Sequence, residues 1–435
     1  MEIKIKDKKL KKKLKRILVK ITPWRRKYVL DKIPVFTVKQ ICKIINIKVP
    51  KKYKPIQNIP VHFTYLFDPI QNKEEVRSKI KYHNYRRPNF VRQLKWKMNR
   101  FKFGFDNQLE YLQGTDEKLV QMMVEWLYGW FPIGFYYFDY LDYELYNKTI
   151  EEANTFLSRG FWWRTYKASN DGKKIKVLKD KEEFNKVYHK YVNREFLNSD
   201  NATFEEFKKF VTAHPKFFGK PVEGTGGEGA GIIRVSDFDS IDVLYKHAKK
   251  NHLIIEEIVD QHKDLAKFND SAVNTIRAYS LHCADGKVRL LLANLRLSRK
   301  GKDVDNFHCG GVTCVLDPKT GKVVSDAIDR HHMFYEKHPD SGLKFKGFQV
   351  PCWDKLVKAI EESGCLIPGI RHVGWDIAIT KDGNIELIEG NSMPNFDVTQ
   401  APDQIGKLDR YEKYIVELEK LKKEEKKKKS QKDKK

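Results

Sequence analysis

The 435-residue sequence predicts an α+β fold built on a largely antiparallel sheet. Strand-like runs dominate from about residue 215 onward, and some of them join through short hairpins such as VLDPKTGKVV. The strict alternation of strand and helix that a parallel sheet needs is absent from that stretch. The length suits about two to three domains, and 40% hydrophobic residues suffice for a core.

Taken in order, residues 1–60 read as a basic arm and linker with 20 Lys+Arg against 3 acids, ending in the proline-punctuated VPKKYKPIQNIP. Its positive start is not followed by an uninterrupted apolar run and a small-residue cleavage site, so it does not read as a signal peptide. Residues 61–174 form an aromatic-rich region with helical stretches near 115–128 and 148–160. Its densest part, Trp126–Tyr146, is broken by Pro132, Gly134, Asp139, Asp142 and Glu144. It therefore reads as packed core rather than a membrane span, which needs about 20 apolar residues. Helical spacing marks KEEFNKVYHKYV (181–192), and Thr203 with Glu206 forms a capping box before FKKFVTA. Strands are expected in KFFGKPV, GIIRVS, LIIEEIV, AVNTIRAYSLHC, KVRLLLANLRLS, GVTCVLD and HVGWDIAIT, with helices at 237–249 and 352–363. The end, 406–435, is a charged helix running into a lysine-rich tail.

The net charge of +26 belongs to the ends: +17 lies in residues 1–60 and +7 in 420–435, leaving +2 for the body. A groove that tracks a polyanion needs its basic residues on the folded body, so nucleic acid is excluded as the partner. The basic ends suit at most a weak contact with anionic lipid headgroups. Six scattered cysteines fit a reducing cytosol, and the Cys309–Cys314 spacing is no zinc signature.

Three segments carry chemistry. In KPVEGTGGEGAGII, Lys220 leads into glycines with no Walker GK[ST] and no helix-opening Rossmann turn, which leaves a glycine flap between two strands. In GWDIAITKDGNIELIEGN, two apolar strands flank Asp382-Gly383, a favoured two-residue hairpin tip. Counting back from that tip brings Asp376 opposite Glu389, with Asn391 on the same side. Facing carboxylates repel unless a proton or cation intervenes, and hard oxygen donors of this kind suit Mg²⁺ beside nucleotide phosphates. Third, Arg277 and Arg296 sit in strand-rich sequence, where a guanidinium needs a carboxylate or phosphate partner.

These residues resemble the ATP-grasp superfamily, in particular the sugar-transfer-associated ATP-grasp proteins, which are similar to alpha-L-glutamate ligase-related proteins. The resemblance covers about residues 175–405. It rests on the ordered set KPVEGTGGEG, IIEEIVDQH, VNTIRAYS, VDNFHCGG, EKHPDSG, VGWDIAIT and IELIEGN. It implies the ATP-grasp fold, in which two α+β lobes grip the nucleotide, here preceded by the aromatic-rich region. It further implies Lys181 and Lys220 on the nucleotide phosphates, Gly226, Gly227 and Gly229 in the flap, and Glu256, Glu257, Ile258 and Val259 as the hinge reading adenine and ribose. Asp376, Glu389 and Asn391 match magnesium ligands, Arg277 a phosphate-side arginine, and Asn306 the acceptor end. Glu257 departs from the residues often found at that hinge position.

The implied activity is an ATP- and Mg²⁺-dependent ligation. A carboxylate is phosphorylated, and an amine or related nucleophile displaces phosphate from the acyl phosphate, in a cytoplasmic enzyme of cell-surface polysaccharide biosynthesis. Two rivals follow from the same residues. One is a phosphotransferase acting on a sugar hydroxyl, and the other an adaptor at the inner membrane surface with a vestigial nucleotide site.

Overall fold

Every strand pair among the described residues is antiparallel. The computed structural model describes residues 36–37, 60–61, 135, 137–222, 229–305, 307 and 310–432. Most of the basic arm and its linker, Trp126–Gly134 and Tyr136 of the aromatic stretch, and the helix expected near 115–128 lie outside them. The chain divides into two units, Met1–Ile150 and Glu151–Lys435. In the first, β1 (Phe36–Thr37) pairs with β2 (Pro60–Val61), and α1 spans Tyr137–Asp142. Phe135, Tyr140, Tyr143 and Leu145 are buried, as the packed-core reading of that stretch expects.

The second unit opens differently from the expected 148–160 helix. Only a turn forms at Ile150–Ala153, and the next full helix, α2 (Arg159–Ser169), starts where the Ser158 hydroxyl accepts from the Phe161 N–H. Helix α3 (Lys181–Val187) is capped by Asp180, which accepts from the N–H groups of Glu182 and Glu183. A smaller sheet follows, ordered β3–β6–β4–β5: β3 (Phe196–Asn198), β4 (Lys216–Pro221), β5 (Gly231–Arg234) and β6 (Leu253–Glu256). Helices α4 (Phe204–Ala213) and α5 (Ile241–Lys250) pack Phe207, Phe210, Val211, Leu244 and Ala248 against Phe217, Leu253 and Ile255. The capping box forms as expected: Thr203 accepts from the Glu206 N–H, and Glu206 from the Thr203 N–H.

The larger sheet holds β7 (Thr275–His282), β8 (Val288–Leu297), β9 (Val312–Leu316), β10 (Ala327–Ile328), β11 (Phe334–Tyr335), β12 (His372–Ile379) and β13 (Ile385–Asn391), ordered β11–β10–β9–β8–β7–β12–β13. One face carries Ile276, Ala278, Leu295 and Trp375 into the main core, under Leu356, Ala359 and Ile360 of α6 (Trp353–Ser363). Because side chains alternate along a strand, Arg277, Arg296 and Asp376 take the other face. That face is divided. Its far end is roofed by Phe161, Phe396, Tyr411 and Ile415, with α2 tied to the C-terminal α7 (Glu412–Lys432) by a two-pronged Arg164–Glu419 ion pair, 2.8 Å at each prong. Its near end is left polar.

His372 lies under that roof, with its Nε2 3.0 Å from the Tyr411 hydroxyl. Burial pushes its pKa down from 6.5 to about 3. The folded imidazole therefore stays neutral while the unfolded one takes up a proton below pH 6.5. Stability is complete above that pH and falls as pH drops toward 3, by about 1.4 kcal/mol per unit. Urea unfolding between pH 7.5 and 4 should show this slope in the wild type and a flatter one in His372→Gln. Parallel profiles would refute the assignment to His372.

Candidate active site

The polar end of the larger sheet is assembled from neighbouring strands. Arg277 on β7 lies across from Asp376 on β12, and the two form a two-pronged ion pair, Nε–Oδ1 2.5 Å and Nη2–Oδ2 2.8 Å. Arg296 on β8 adds Nη1–Oδ1 at 2.9 Å, and its Nη2 reaches Asp305 Oδ1 at 3.2 Å. Asp305 is held in turn by the backbone N–H of Thr275 at 2.8 Å and by the Thr275 hydroxyl. Burial would raise the Asp376 pKa, but the two guanidinium charges outweigh it and hold the carboxylate far below its usual range. Asp305, with one arginine and full burial, is pushed up.

Asp376 faces Glu389 as the sequence register requires, but the path there differs. The tip is not the two-residue Asp382-Gly383 turn. Thr380 and Asn384 pair instead, the Gly383 N–H donates to the Thr380 carbonyl, and Gly383 takes φ 73°, which makes a three-residue loop ending in a left-handed glycine. The Thr380 hydroxyl, accepting from the Asn384 N–H at 3.1 Å, favours that longer loop. From there Ile377 meets Leu387, and a bulge that skips Ile388 restores Asp376 to Glu389. Two departures from the simple hairpin cancel at the one pair that matters.

Burial, then the charge of Asp376, pushes the Glu389 pKa up. The two carboxyls of the hairpin are thus shifted in opposite directions. Asn391 donates its amide N–H to Glu389 Oε1 at 3.0 Å, which aims its own oxygen away. The arginines occupy Asp376 Oδ1 twice and Oδ2 once, and Glu389 hydrogen-bonds the same carboxylate. Among the described residues no three His, Cys, Asp or Glu side chains gather as a metal cluster. The donor set is two carboxylates and an amide, which fits Mg²⁺ completed by phosphate oxygens and water.

The smaller sheet supplies Lys220. Its ammonium is buried and paired with Glu256 Oε2 at 2.7 Å. Burial pushes the ammonium pKa down while Glu256 pulls it back, and Glu389 bears on it electrostatically. Burial likewise works against the Glu256 charge, but Arg194 and Lys220 outweigh it and bring its pKa to about 2. The Glu256 carboxylate is thus committed to two cations, and its backbone pairs with Phe196 on β3 and Phe218 on β4. Glu257 turns back to the Glu195 N–H through its carboxylate at 3.1 Å. Ile258 and Val259 continue toward the larger sheet, where the Asp260 carbonyl accepts from the Lys381 N–H at 2.7 Å. Lys181 donates to the carbonyls of Pro221 and Val222 at 2.7 and 3.0 Å, which places it at the base of the flap. Gly229 closes the flap with φ 73°, whereas Gly226, Gly227 and Asn306 lie outside the described residues.

The sequence reading missed Arg194 and Glu386. A glutamate between Ile385 and Leu387 in a buried strand demands a cation, and that signal was available; which of many arginines would answer was not.

Residues 163–414, more than half of the chain, match the family described as sugar-transfer associated ATP-grasp. The chain belongs to that family. The two antiparallel α+β sheets joined by a short hinge are its ATP-grasp fold. No curated protein matches this ATP-grasp chain. Among solved structures, the ADP complex of N5-carboxyaminoimidazole ribonucleotide synthetase is 11% identical with a TM-score of 0.33, over 51% of this chain and 47% of that one. The ATP-grasp ligase PsnB with minimal precursor, Mg and ADP is 13% identical with a TM-score of 0.36, over 62% and 69%. The D-alanine-D-alanine ligase from Coxiella burnetii is 12% identical with a TM-score of 0.36, over 59% and 62%. The chain thus spans about half the length of the first of these structures. No helix of the described residues is long and apolar enough to cross a membrane.

Proposed function

We propose that this ATP-grasp protein is an ATP- and Mg²⁺-dependent carboxylate–amine or related ligase that works through an acyl phosphate on a cell-surface polysaccharide precursor. One observation supports this above the rest: Glu389 bears electrostatically on Lys220, Arg277 and Arg296 at once, so a lysine from one sheet and two arginines from the other converge on the facing carboxylates. Such convergence suits a phosphoryl group, whose transfer depends mainly on positioning and charge.

In this reading Lys220 and Lys181, with Gly226, Gly227 and Gly229, hold the nucleotide phosphates, and the backbone from Glu256 to Val259 reads the base. Asp376, Glu389 and Asn391 would hold magnesium, which supplies charge neutralisation at the phosphoryl oxygens when bound. Arg277 spends Nε and Nη2 on Asp376, and no partner for Nη1 is found among the described residues, so Nη1 can donate to the oxygen of the carboxylate being activated. Arg296, bound through Nη1 to Asp376 and through Nη2 to Asp305, fixes Asp376 instead. Asn306 would serve the acceptor end, as the resemblance implies. The glycan role follows the family's description, and a cytoplasmic protein whose basic ends touch anionic headgroups at the inner membrane surface completes the proposal.

Hydroxylamine decides the chemistry. A ligase incubated with ATP, Mg²⁺ and its acid yields a hydroxamate and ADP, because hydroxylamine captures the acyl phosphate. ADP release with a stable phosphate ester and no hydroxamate would replace this reading with sugar phosphorylation. No nucleotide turnover with any acid, together with salt-sensitive vesicle binding, would replace it with the adaptor.

A further inference from the structure

We propose that Arg194 is a positioning residue that holds the bulge in β13, and thereby brings Glu389 to the site and sets Lys220 against it. The proposal deepens the ligase reading, and rests on it only for what the hairpin and lysine go on to bind.

The bulge has a definite consequence. If the Ile377–Leu387 pairing simply continued, Asp376 would meet Ile388 and Glu389 would meet Trp375. A one-residue slip sends every later side chain to the opposite face, so Glu389 would point into the apolar core beside Trp375. Skipping Ile388 is what turns the Glu389 carboxylate toward Asp376. A bulge leaves peptide groups out of the regular ladder, and buried ones need other partners. Here both carbonyls at the bulge accept from one side chain: Arg194 Nη1 donates to the Leu387 oxygen at 2.8 Å, and Nη2 to the Ile388 oxygen at 3.3 Å.

The same guanidinium reaches both sheets. Nη1 is 2.6 Å from Glu386 Oε1, which anchors it to β13 one residue before the bulge. Glu386 is itself held by the Asn193 N–H at 2.9 Å, so the chain around Arg194 is fixed at both ends of the ion pair. On the other side Nε and Nη2 lie 3.1 and 3.2 Å from the two oxygens of Glu256, whose Oε2 takes Lys220 at 2.7 Å. Both carboxylates and the guanidinium are buried. A planar fork with five N–H groups can span two carboxylates and two carbonyls; a lysine ammonium, a point with three donors, cannot.

The test compares Arg194→Lys, Glu389→Gln and the double variant with the full-length wild type. It reads amide hydrogen exchange across the larger sheet and the dissociation constant for Mg²⁺-ATP. Arg194→Lys should speed exchange at residues 386–391 selectively and weaken Mg²⁺-ATP by about 10- to 100-fold. In the Glu389→Gln background the same change should weaken it by clearly less than in the wild type, because the part that acts through Glu389 is already gone and only the part that acts through Glu256 and Lys220 remains. Exchange that rises evenly over the sheet, or losses that multiply in the double variant, would overturn the proposal by reducing Arg194 to general support. Should Arg194→Lys fail to fold, Glu386→Gln keeps the guanidinium and loosens only its anchor, and it must give the same localised exchange. If the wild type itself ignores Mg²⁺-ATP, the ligase reading falls, and the exchange pattern alone still decides the role of Arg194.

Discussion

Glu389→Gln should abolish Mg²⁺-ATP-dependent turnover without lowering the stability of the ligand-free protein. The substitution is nearly isosteric and keeps an oxygen in place, so it removes one charge and little else. In the ligand-free fold that charge is unwelcome: burial and the facing Asp376 both disfavour it. Glutamine should therefore leave the melting midpoint where it was or raise it slightly. With nucleotide the balance reverses, because the carboxylate then has a divalent cation and phosphoryl charge to offset. Turnover should drop by about 10²- to 10³-fold. The wild-type midpoint should climb as Mg²⁺-ATP exceeds its dissociation constant, while the variant's climbs much less. Differential scanning fluorimetry with and without Mg²⁺-ATP reads both halves. A variant that is as strongly stabilised by Mg²⁺-ATP as the wild type would remove Glu389 from the metal site.

What the sequence disclosed, and what it withheld, divides by the range of the interaction. The capping box at Thr203 and Glu206 is a local exchange of hydrogen bonds over three residues, and it formed as read. The antiparallel sheets were legible because alternation in runs such as β7 and β8 is a property of each strand alone. The Asp376–Glu389 register was legible for a weaker reason: the tip expected from Asp382-Gly383 is one residue short, and the bulge at Ile388 supplies the missing residue. No turn rule contains that bulge, since its carbonyls are satisfied by Arg194, almost two hundred positions away in sequence. The electrostatic states were equally out of reach. Asp376 and Glu389 look equivalent along the chain, and only the arrival of Arg277 from β7 and Arg296 from β8 on the side of Asp376 makes them different. Glu256 shows the same limit, since nothing along the chain tells that its carboxylate is buried against Lys220 and Arg194.

Asp376→Asn, on the strand facing Glu389 and chemically as mild as Glu389→Gln, should behave in the opposite way toward stability. Its carboxylate is the shared partner of two guanidinium groups, Arg296 buried and Arg277 partly buried, three of whose N–H donors aim at its oxygens. An amide offers one acceptor oxygen and turns two N–H donors toward the arginines. Arg277 is left without its partner and Arg296 keeps only Asp305. Removing one member of a buried ion pair costs about 3–5 kcal/mol, since the remaining charge stays buried and uncompensated. In a folded unit of this size that corresponds to a fall in melting midpoint on the order of 10 °C. Turnover should be lost as well, so activity alone does not separate the two hairpin variants; stability does. Chemical denaturation of both, without nucleotide, is the decisive comparison. Equal stabilities would mean that Asp376 is not the electrostatic keystone of the sheet, and that the arginines find other partners when it goes. A large loss confined to Asp376→Asn would establish a division of labour on one hairpin, with Asp376 holding the arginines in place and Glu389 kept in reserve for the cation.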